Sequence, residues 1–293
     1  MGAFDPMDAK NCYLCGSEQY IVRPGSVRDN QDIKVFECVD CGLVYLSSLE
    51  HILEGHYEDS GMHDGETPDI DAWLRETQAD DERRYQFMRE QITNKNVLDF
   101  GCGVGGFLDR AKQTAKVVDG IELETALQPS FKMRGLNVFS NLDSAKNEKR
   151  VWDIVTAFHV VEHLADPISM LNELSLLVDD GGEMIVEVPN SDDALLTLYE
   201  SESFQHFTYW SQHMYLFNAK TFSALVKQAG LKVNWIKHVQ RYPLSNHLYW
   251  LANGKPGGHN IWGFLNNQRL DAEYEGQLAA IGKTDTIIAG ISK

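Results

Sequence analysis

Val97-Leu98-Asp99-Phe100-Gly101-Cys102-Gly103-Val104-Gly105-Gly106, residues 97–106, is a short apolar run that ends in an acid, breaks into a glycine-rich turn and opens a helix running to Lys112. A lone G-x-G-x-G says little. Here a strand precedes it and a helix follows, which is the context in which such a loop cradles a ligand. The glycines allow close approach to the backbone, and the helix N-terminus favours a carboxylate or phosphate. A second apolar run, residues 117–122, ends in Gly120-Ile121-Glu122. Its acid lies about twenty residues beyond the loop, where a carboxylate accepts hydrogen bonds from ribose hydroxyls.

The rest of the chain extends this alternation. Trp73, Tyr85, Met88 and Ile92 recur at near-helical spacing, predicting one long helix over 70–92. Its mixed run Asp80-Asp81-Glu82-Arg83-Arg84 reads as a solvated face. Strands are predicted at 96–100, 117–122, 137–139, 153–159, 183–189 and 231–239, with helices at 125–133, 168–178 and 219–229. That order implies an α/β fold, a mostly parallel Rossmann-like sheet with helices on both faces. The β-branched run 284–291 reads as a last strand returning to the sheet, which makes 241–283 an insertion before it. Residues 49–68 read as a linker. The expected division is 1–56 for a cysteine module with the start of the linker, and 70–293 for the main domain.

Cys12-x2-Cys15-Gly and Cys38-x2-Cys41-Gly form two matching knuckles. Each such turn aims two sulfurs at one point, and two turns complete a tetrahedral site for structural zinc, with rubredoxin-like iron as the competitor. Residues 1–10 lack the basic start and apolar run of a signal peptide, and no apolar stretch is long enough to span a bilayer. A cytoplasmic, thiol-reducing setting is the expectation, which favours metal over disulfides. The formal net charge of −17 argues against nucleic acid and anionic membranes as partners.

Two ligands fit the glycine loop, a dinucleotide or S-adenosylmethionine (SAM). VLDFGCGVGGFL, residues 97–108, resembles motif I of class I SAM-dependent methyltransferases, with Asp99 just before the first glycine. Dinucleotide sites rarely carry that acid. WDIVTAFHVVEHLADP, residues 152–167, resembles the family's fourth-strand motif, and the likeness spans roughly 96–239. The resemblance implies SAM contacts at Asp99, Gly101, Cys102, Gly103, Gly105, Glu122, Asn141, Leu142 and His159. Asp99 would lie near the ligand's amino group and Glu122 on the ribose. The family often has Asp where Asn141 stands, although an amide can still accept from the adenine amine. Cys102 reads as a small residue that fits, not a nucleophile.

A hydroxyl acceptor needs a general base, most often His. His159 closes the fourth strand at the carboxyl edge of the sheet, and Glu162 and His163 follow. H-x-x-E-H is also a zinc-protease pattern, which this strand-to-helix setting discounts. Quinone O-methyltransferases of the superfamily have Glu-x-x-Glu-His there and can use a divalent cation; His159 stands in place of the first Glu. The bland reading makes Glu162 and His163 structural turn residues. Residues 205–217, QHFTYWSQHMYLF, interleave aromatics with His206 and His213 and read as an acceptor wall. They resemble an H-x3-F segment of zinc-module methyltransferases from sugar and polysaccharide pathways. Candidate catalytic residues are therefore His159, His163, His206 and His213, with Arg241 and His247 available to an anionic group on the acceptor. The resemblance implies methyl transfer from SAM to a small-molecule acceptor, a hydroxyl of a nucleotide-linked or phosphorylated sugar. Sugar C-methyltransferases of this kind carry a further large domain, which favours O-transfer here. The alternatives are an rRNA or tRNA methyltransferase and a non-catalytic SAM-binding scaffold.

Overall fold

A computed structural model of the chain describes residues 11–52, 58 and 69–293. Most of the expected linker, 49–68, lies outside the described residues. The cysteine-bearing part contributes β1 (Tyr20–Val22), β2 (Val35–Cys38) and β3 (Val44–Leu46), an antiparallel meander. Helix α1 (Ile70–Ile92) follows, its first turn capped by the Asp69 carboxylate, which accepts from Ala72 N–H. Strands and helices then alternate: β4 (Asn96–Phe100), α2 (Gly106–Ala111), β5 (Val117–Ile121), α3 (Gln128–Arg134), β6 (Asn137–Phe139), α4 (Leu142–Asn147), β7 (Trp152–Phe158), α5 (Pro167–Ser175) and β8 (Val178–Pro189). Next come α6 (Ala194–Thr197), α7 (Glu202–Thr208), β9 (Tyr215–Leu216), α8 (Ala219–Gln228) and β10 (Lys232–Val239). Helices α9 (Leu244–Asn253), α10 (Gly258–Ile261) and α11 (Gln268–Ala280) fill the stretch before β11 (Thr286–Ser292).

The main sheet has seven strands in the order β10-β11-β8-β7-β4-β5-β6. Strands β4 to β8 that lie in it run parallel, and β11 is antiparallel to both of its neighbours. The order reverses between β4 and β7, and in open α/β sheets ligands bind outside the carboxyl ends of the strands at such a switch. The helix expected at 125–133 begins as a 3-10 turn, Thr125–Leu127, and becomes α-helical only from Gln128. Proline in its first turn explains the new start, because it lacks an N–H and suits that position.

A second sheet, β1-β2-β3-β9, borrows its last strand from the main domain: Val44 pairs with Leu216 and Tyr45 with Tyr215. Three strands this short bury little by themselves. Cys12, Leu14, Val35 and Leu43 accordingly share one apolar core with Leu98, Val155, Val186 and Phe217. No helix among the described residues is long and apolar enough to cross a membrane.

Helix α1 lays Tyr85, Met88 and Ile92 onto Val97, Phe107, Phe158 and Ile185 of the opposite face. Its charged run is not the solvated face that its composition suggests. Asp81 and Arg84 are 5% and 8% exposed, because they turn toward the sheet with Tyr85. Arg84 Nη2 and Arg83 Nη2 donate to Glu187 Oε1 at 2.8 and 2.9 Å, and Glu187, on β8, is fully buried. Removing one partner of a buried ion pair strands the other charges, so Glu187→Ala should cost about 3–5 kcal/mol. Urea unfolding checks this; a loss below about 1 kcal/mol would show that the pairing carries no stability.

Candidate functional site

Gly101, Gly103 and Gly105 all have positive φ, at 69°, 51° and 75°, a region that side chains adopt reluctantly. A Cβ on Gly101 would come 2.5 Å from Val160 Cγ2, so the turn also needs the missing volume. This turn lines a cavity of about 340 Å³ at the carboxyl ends of β4 and β7. Asp99, Gly101, Cys102, Gly103, Glu122, His159 and His163 all face it. Gly105 instead lies at the start of α2, near Leu136 and Phe131.

Glu122 Oε2 accepts from Gly103 N–H at 2.8 Å and Oε1 from Glu124 N–H at 2.9 Å, so the acid is bound to the loop across from it. Burial raises its pKa against the pull of those backbone bonds. Asp99 accepts from Thr156 Oγ1 at 2.6 Å and is 3% exposed. Burial pushes its carboxyl up to about 7, although the Thr156 bond works the other way. The Cys102 thiol is raised well above its ordinary value by the same burial, which leaves it un-ionised and inert.

Asn141 is committed elsewhere. Its Oδ1 accepts from Ser144 N–H at 2.8 Å as the cap of α4, and neither it nor Leu142 is among the residues lining the cavity. The sequence reading missed the roof, Trp73, Thr77, Asp80, Asp81 and Arg84 of α1; Arg241, which it did single out, lines the cavity beside them. The i, i+4 spacing of Thr77 and Asp81, with Arg84 and Tyr85 one turn on, was the available signal. Arg241 pairs with Asp80, so its charge is matched inside the protein. His247 bonds to Tyr274 Oη at 2.7 Å, away from the cavity lining.

His159 and His163 line the cavity, and His213 packs behind them without lining it. His159 stands in the left-handed region, φ 55°, one residue past β7, with Nδ1 3.1 Å from Glu162 Oε1 and Nε2 3.2 Å from Glu187 Oε1. Burial and Arg241 oppose its charge, but the bonds to both carboxylates win and raise its pKa. His163 Nδ1 is 2.9 Å from the Gln212 carbonyl, which fixes the tautomer: Nδ1 donates and the lone pair sits on Nε2. Burial lowers its pKa, and His213, whose ring lies 4.8 Å away, is pushed down to about 3 by burial and by His163. Both rings are neutral. Glu162, fully buried and held ionised chiefly by His159 against burial, has Oε2 without a hydrogen-bond partner. Ligand atoms of Glu162, His163 and His213 lie within 4.8 Å of one another. His206 lies apart from this group, exposed on α7 with Nδ1 2.7 Å from Ser26 Oγ.

The cysteines also converge. Cys12 and Cys41 sulfurs are 3.5 Å apart, Cys15 and Cys38 sulfurs 3.4 Å, and all four lie within 4.8 Å of one another. The two knuckles match: Gly16 N–H donates to Cys12 O and Gly42 N–H to Cys38 O, with φ of 74° and 87° at the glycines. Each turn thus needs its glycine, and the four-sulfur donor set is compatible with zinc.

Two outcomes test the SAM half. Glu122→Ala removes a charged acceptor and should weaken SAM binding by about 1.5–3 kcal/mol, roughly ten- to a hundredfold, by calorimetry. Asp99 is neutral below about 7 and attracts a cationic amino group only when ionised. SAM affinity should therefore fall as pH drops through that value, by up to about tenfold per unit, and Asp99→Asn should flatten the profile.

Residues 73–234 match the family described as a methyltransferase domain. Among curated proteins, the ubiquinone biosynthesis O-methyltransferase of Hydrogenovibrio crunogenus is 25% identical over 195 residues, covering 59% of this chain and 81% of that protein. The protein of the same name from Coxiella burnetii is 23% identical over 176 residues, 56% and 75% of the two chains. Among solved structures, a SAM-dependent methyltransferase of Thermotoga maritima, described as a possible histamine N-methyltransferase, aligns with a TM-score of 0.49 at 18% identity over 77% of this chain and 96% of that one. With more than half of its length matched by the family and the glycine turn set at the switch point of a seven-stranded sheet, the chain belongs to the methyltransferase-domain family and is a SAM-dependent methyltransferase.

Proposed function

We propose that this enzyme moves the SAM methyl group to a hydroxyl oxygen of a small, flat acceptor seated against His163, His213 and Trp210. The observation that carries the proposal is the tautomer of His163, whose lone pair on Nε2 belongs to a residue that lines the SAM cavity. Methyl transfer from a sulfonium needs alignment, exclusion of water and removal of the hydroxyl proton. The glycine turn, Asp99 and Glu122 hold SAM, and His163 takes the proton. His159 is engaged at both ring nitrogens, Nδ1 by Glu162 and Nε2 by Glu187 and Arg241. Trp210, 5.9 Å from His163 and 5.4 Å from His213, gives the acceptor a planar wall.

The names of the relatives support a ubiquinone-type ring hydroxyl over the sugar hydroxyl suggested by the sequence motifs. The acidic balance of the chain supports a small acceptor over RNA. Zinc in the four-cysteine centre, closed by four thiolates, would supply folding energy, not chemistry.

A second reading of the same cluster rests on Glu162 Oε2, a buried carboxylate oxygen with no hydrogen-bond partner. Glu162, His163 and His213 would then hold a divalent cation, one charged and two neutral donors. When bound, such a cation lowers the pKa of a coordinated hydroxyl.

The test is transfer of labelled methyl from SAM to 3,4-dihydroxybenzoate, to nucleotide sugars and to unmodified RNA. Label in the phenol supports the proposal; label confined to sugars or RNA overturns the acceptor class. His163→Ala should lower kcat by about 10²–10⁴-fold with S-adenosylhomocysteine affinity unchanged, whereas His206→Ala should change neither. Because burial lowers the His163 pKa, the acid limb of kcat should fall below the ordinary imidazole value of 6.5. Activity lost to EDTA and restored by Mg²⁺ would carry the cation reading, and activity indifferent to both the base reading.

A further inference from the structure

Residues 206–216, which carry the acceptor wall, are bonded mainly by the cysteine-bearing part of the chain. Ser26 Oγ meets His206 Nδ1 at 2.7 Å, and Arg28 N–H donates to Tyr209 O at 2.9 Å. The Arg28 guanidinium lies over the Trp210 ring, 4.7 Å from its centroid. Asp29 accepts twice from Ser211, from N–H at 3.0 Å and from Oγ at 2.6 Å. The Ser211 carbonyl in turn meets His51 Nε2 at 2.7 Å, and Leu46 N–H donates to Met214 O at 3.1 Å. Tyr215 and Leu216 then pair with β3. On its other side the same segment presents the Gln212 carbonyl that sets the His163 tautomer, and the His213 ring.

The SAM half is held differently. Asp99 is fixed by Thr156 of β7, and Glu122 by the backbone of Gly103 and Glu124. The strands of the cysteine module have three, four and three residues, so a metal bound by its four sulfurs would add to the order that the shared core provides.

We propose that the four-cysteine module is the support of the acceptor wall, with Asp29 as a positioning residue for Ser211 and its neighbours. The metal state of the cysteines then sets the order of the acceptor half while the SAM half stays intact. This rests on reading 205–217 as the acceptor wall, but the test below uses no acceptor and can fail independently of that reading.

Hydrogen exchange of the full chain, with calorimetric titration of S-adenosylhomocysteine and histidine ring spectra, reads the coupling directly. In Asp29→Ala, peptides covering 205–217 should exchange about tenfold faster or more, and the His163 and His213 ring signals should shift. Peptides covering 97–106 should keep their protection, with S-adenosylhomocysteine affinity within about twofold of the parent. Asp29→Asn should recover part of the protection, since an amide oxygen still accepts from Ser211. Cys15→Ser should reproduce the Asp29→Ala pattern and also loosen 12–46. Protection of 205–217 that survives either Asp29→Ala or Cys15→Ser would overturn the proposal. So would a parallel loss of S-adenosylhomocysteine binding, which would make the module a general folding element.

Discussion

A carboxylate that water cannot reach has to be matched by cations, and Glu187 imposes that requirement on the centre of this molecule. It sits on β8 beside β7, and its partners come from elsewhere in the chain: the cations Arg83 and Arg84 from α1, and the His159 ring from the turn after β7. Placing the arginines there lays α1 across the mouth of the sheet, which is why Trp73, Thr77 and Asp81 roof the ligand cavity. Asp80, one residue from Asp81, then reaches Arg241 and pins the stretch beyond β10 onto the same roof. Holding His159 there costs something as well. A non-glycine residue at φ 55° stores about 1–3 kcal/mol of strain, which the paired carboxylates offset.

That one arrangement also divides the site chemically. Beside the glycine turn, Asp99 and Glu122 have pKa values raised by burial, and a cationic ligand placed there would favour their ionised forms. On the acceptor side the rings are neutral and the one carboxylate is ionised. Opposite pKa displacements a short distance apart mark functional ground in general. Here they separate the acids beside the glycine turn from the neutral rings of His163 and His213.

The parts legible in the sequence were those that a repeat period or a glycine reports. The strand period placed β4 through β8, the Gly-rich turn placed the cavity, and the C-x2-C-Gly pairs placed the sulfur cluster. Positions set by distant partners were not legible. Asp80 to Arg84 look like any charged helix face until Glu187, about a hundred residues away, is known to lie opposite. Asn141 matched a family position, yet local backbone geometry claimed its side chain as a helix cap, which is a common fate of Asn at such a place. Strand β9 is two residues long, too short to show any alternation, so the link between the two sheets had no sequence signal.

The same logic sorts the four histidines that the sequence offered, among which the aromatic segment put His206 and His213 first. Residue type and neighbourhood do not distinguish them; the partner of each ring nitrogen does. His206 bonds to a serine hydroxyl at the surface and serves the packing of the cysteine module. His159 has Nδ1 against Glu162 and Nε2 against both Glu187 and Arg241, so both nitrogens are engaged within the protein. His213 is neutral and meets the His163 ring edge-on. Among these four, a backbone carbonyl takes the Nδ1 proton of His163, and His163 also lines the cavity, which is the arrangement on which its proposed role rests. A carbonyl acceptor cannot exchange roles as a hydroxyl could, so this tautomer is fixed by covalent chemistry once Gln212 is in place. The proposed base would therefore be only as well positioned as Gln212 and the segment that carries it.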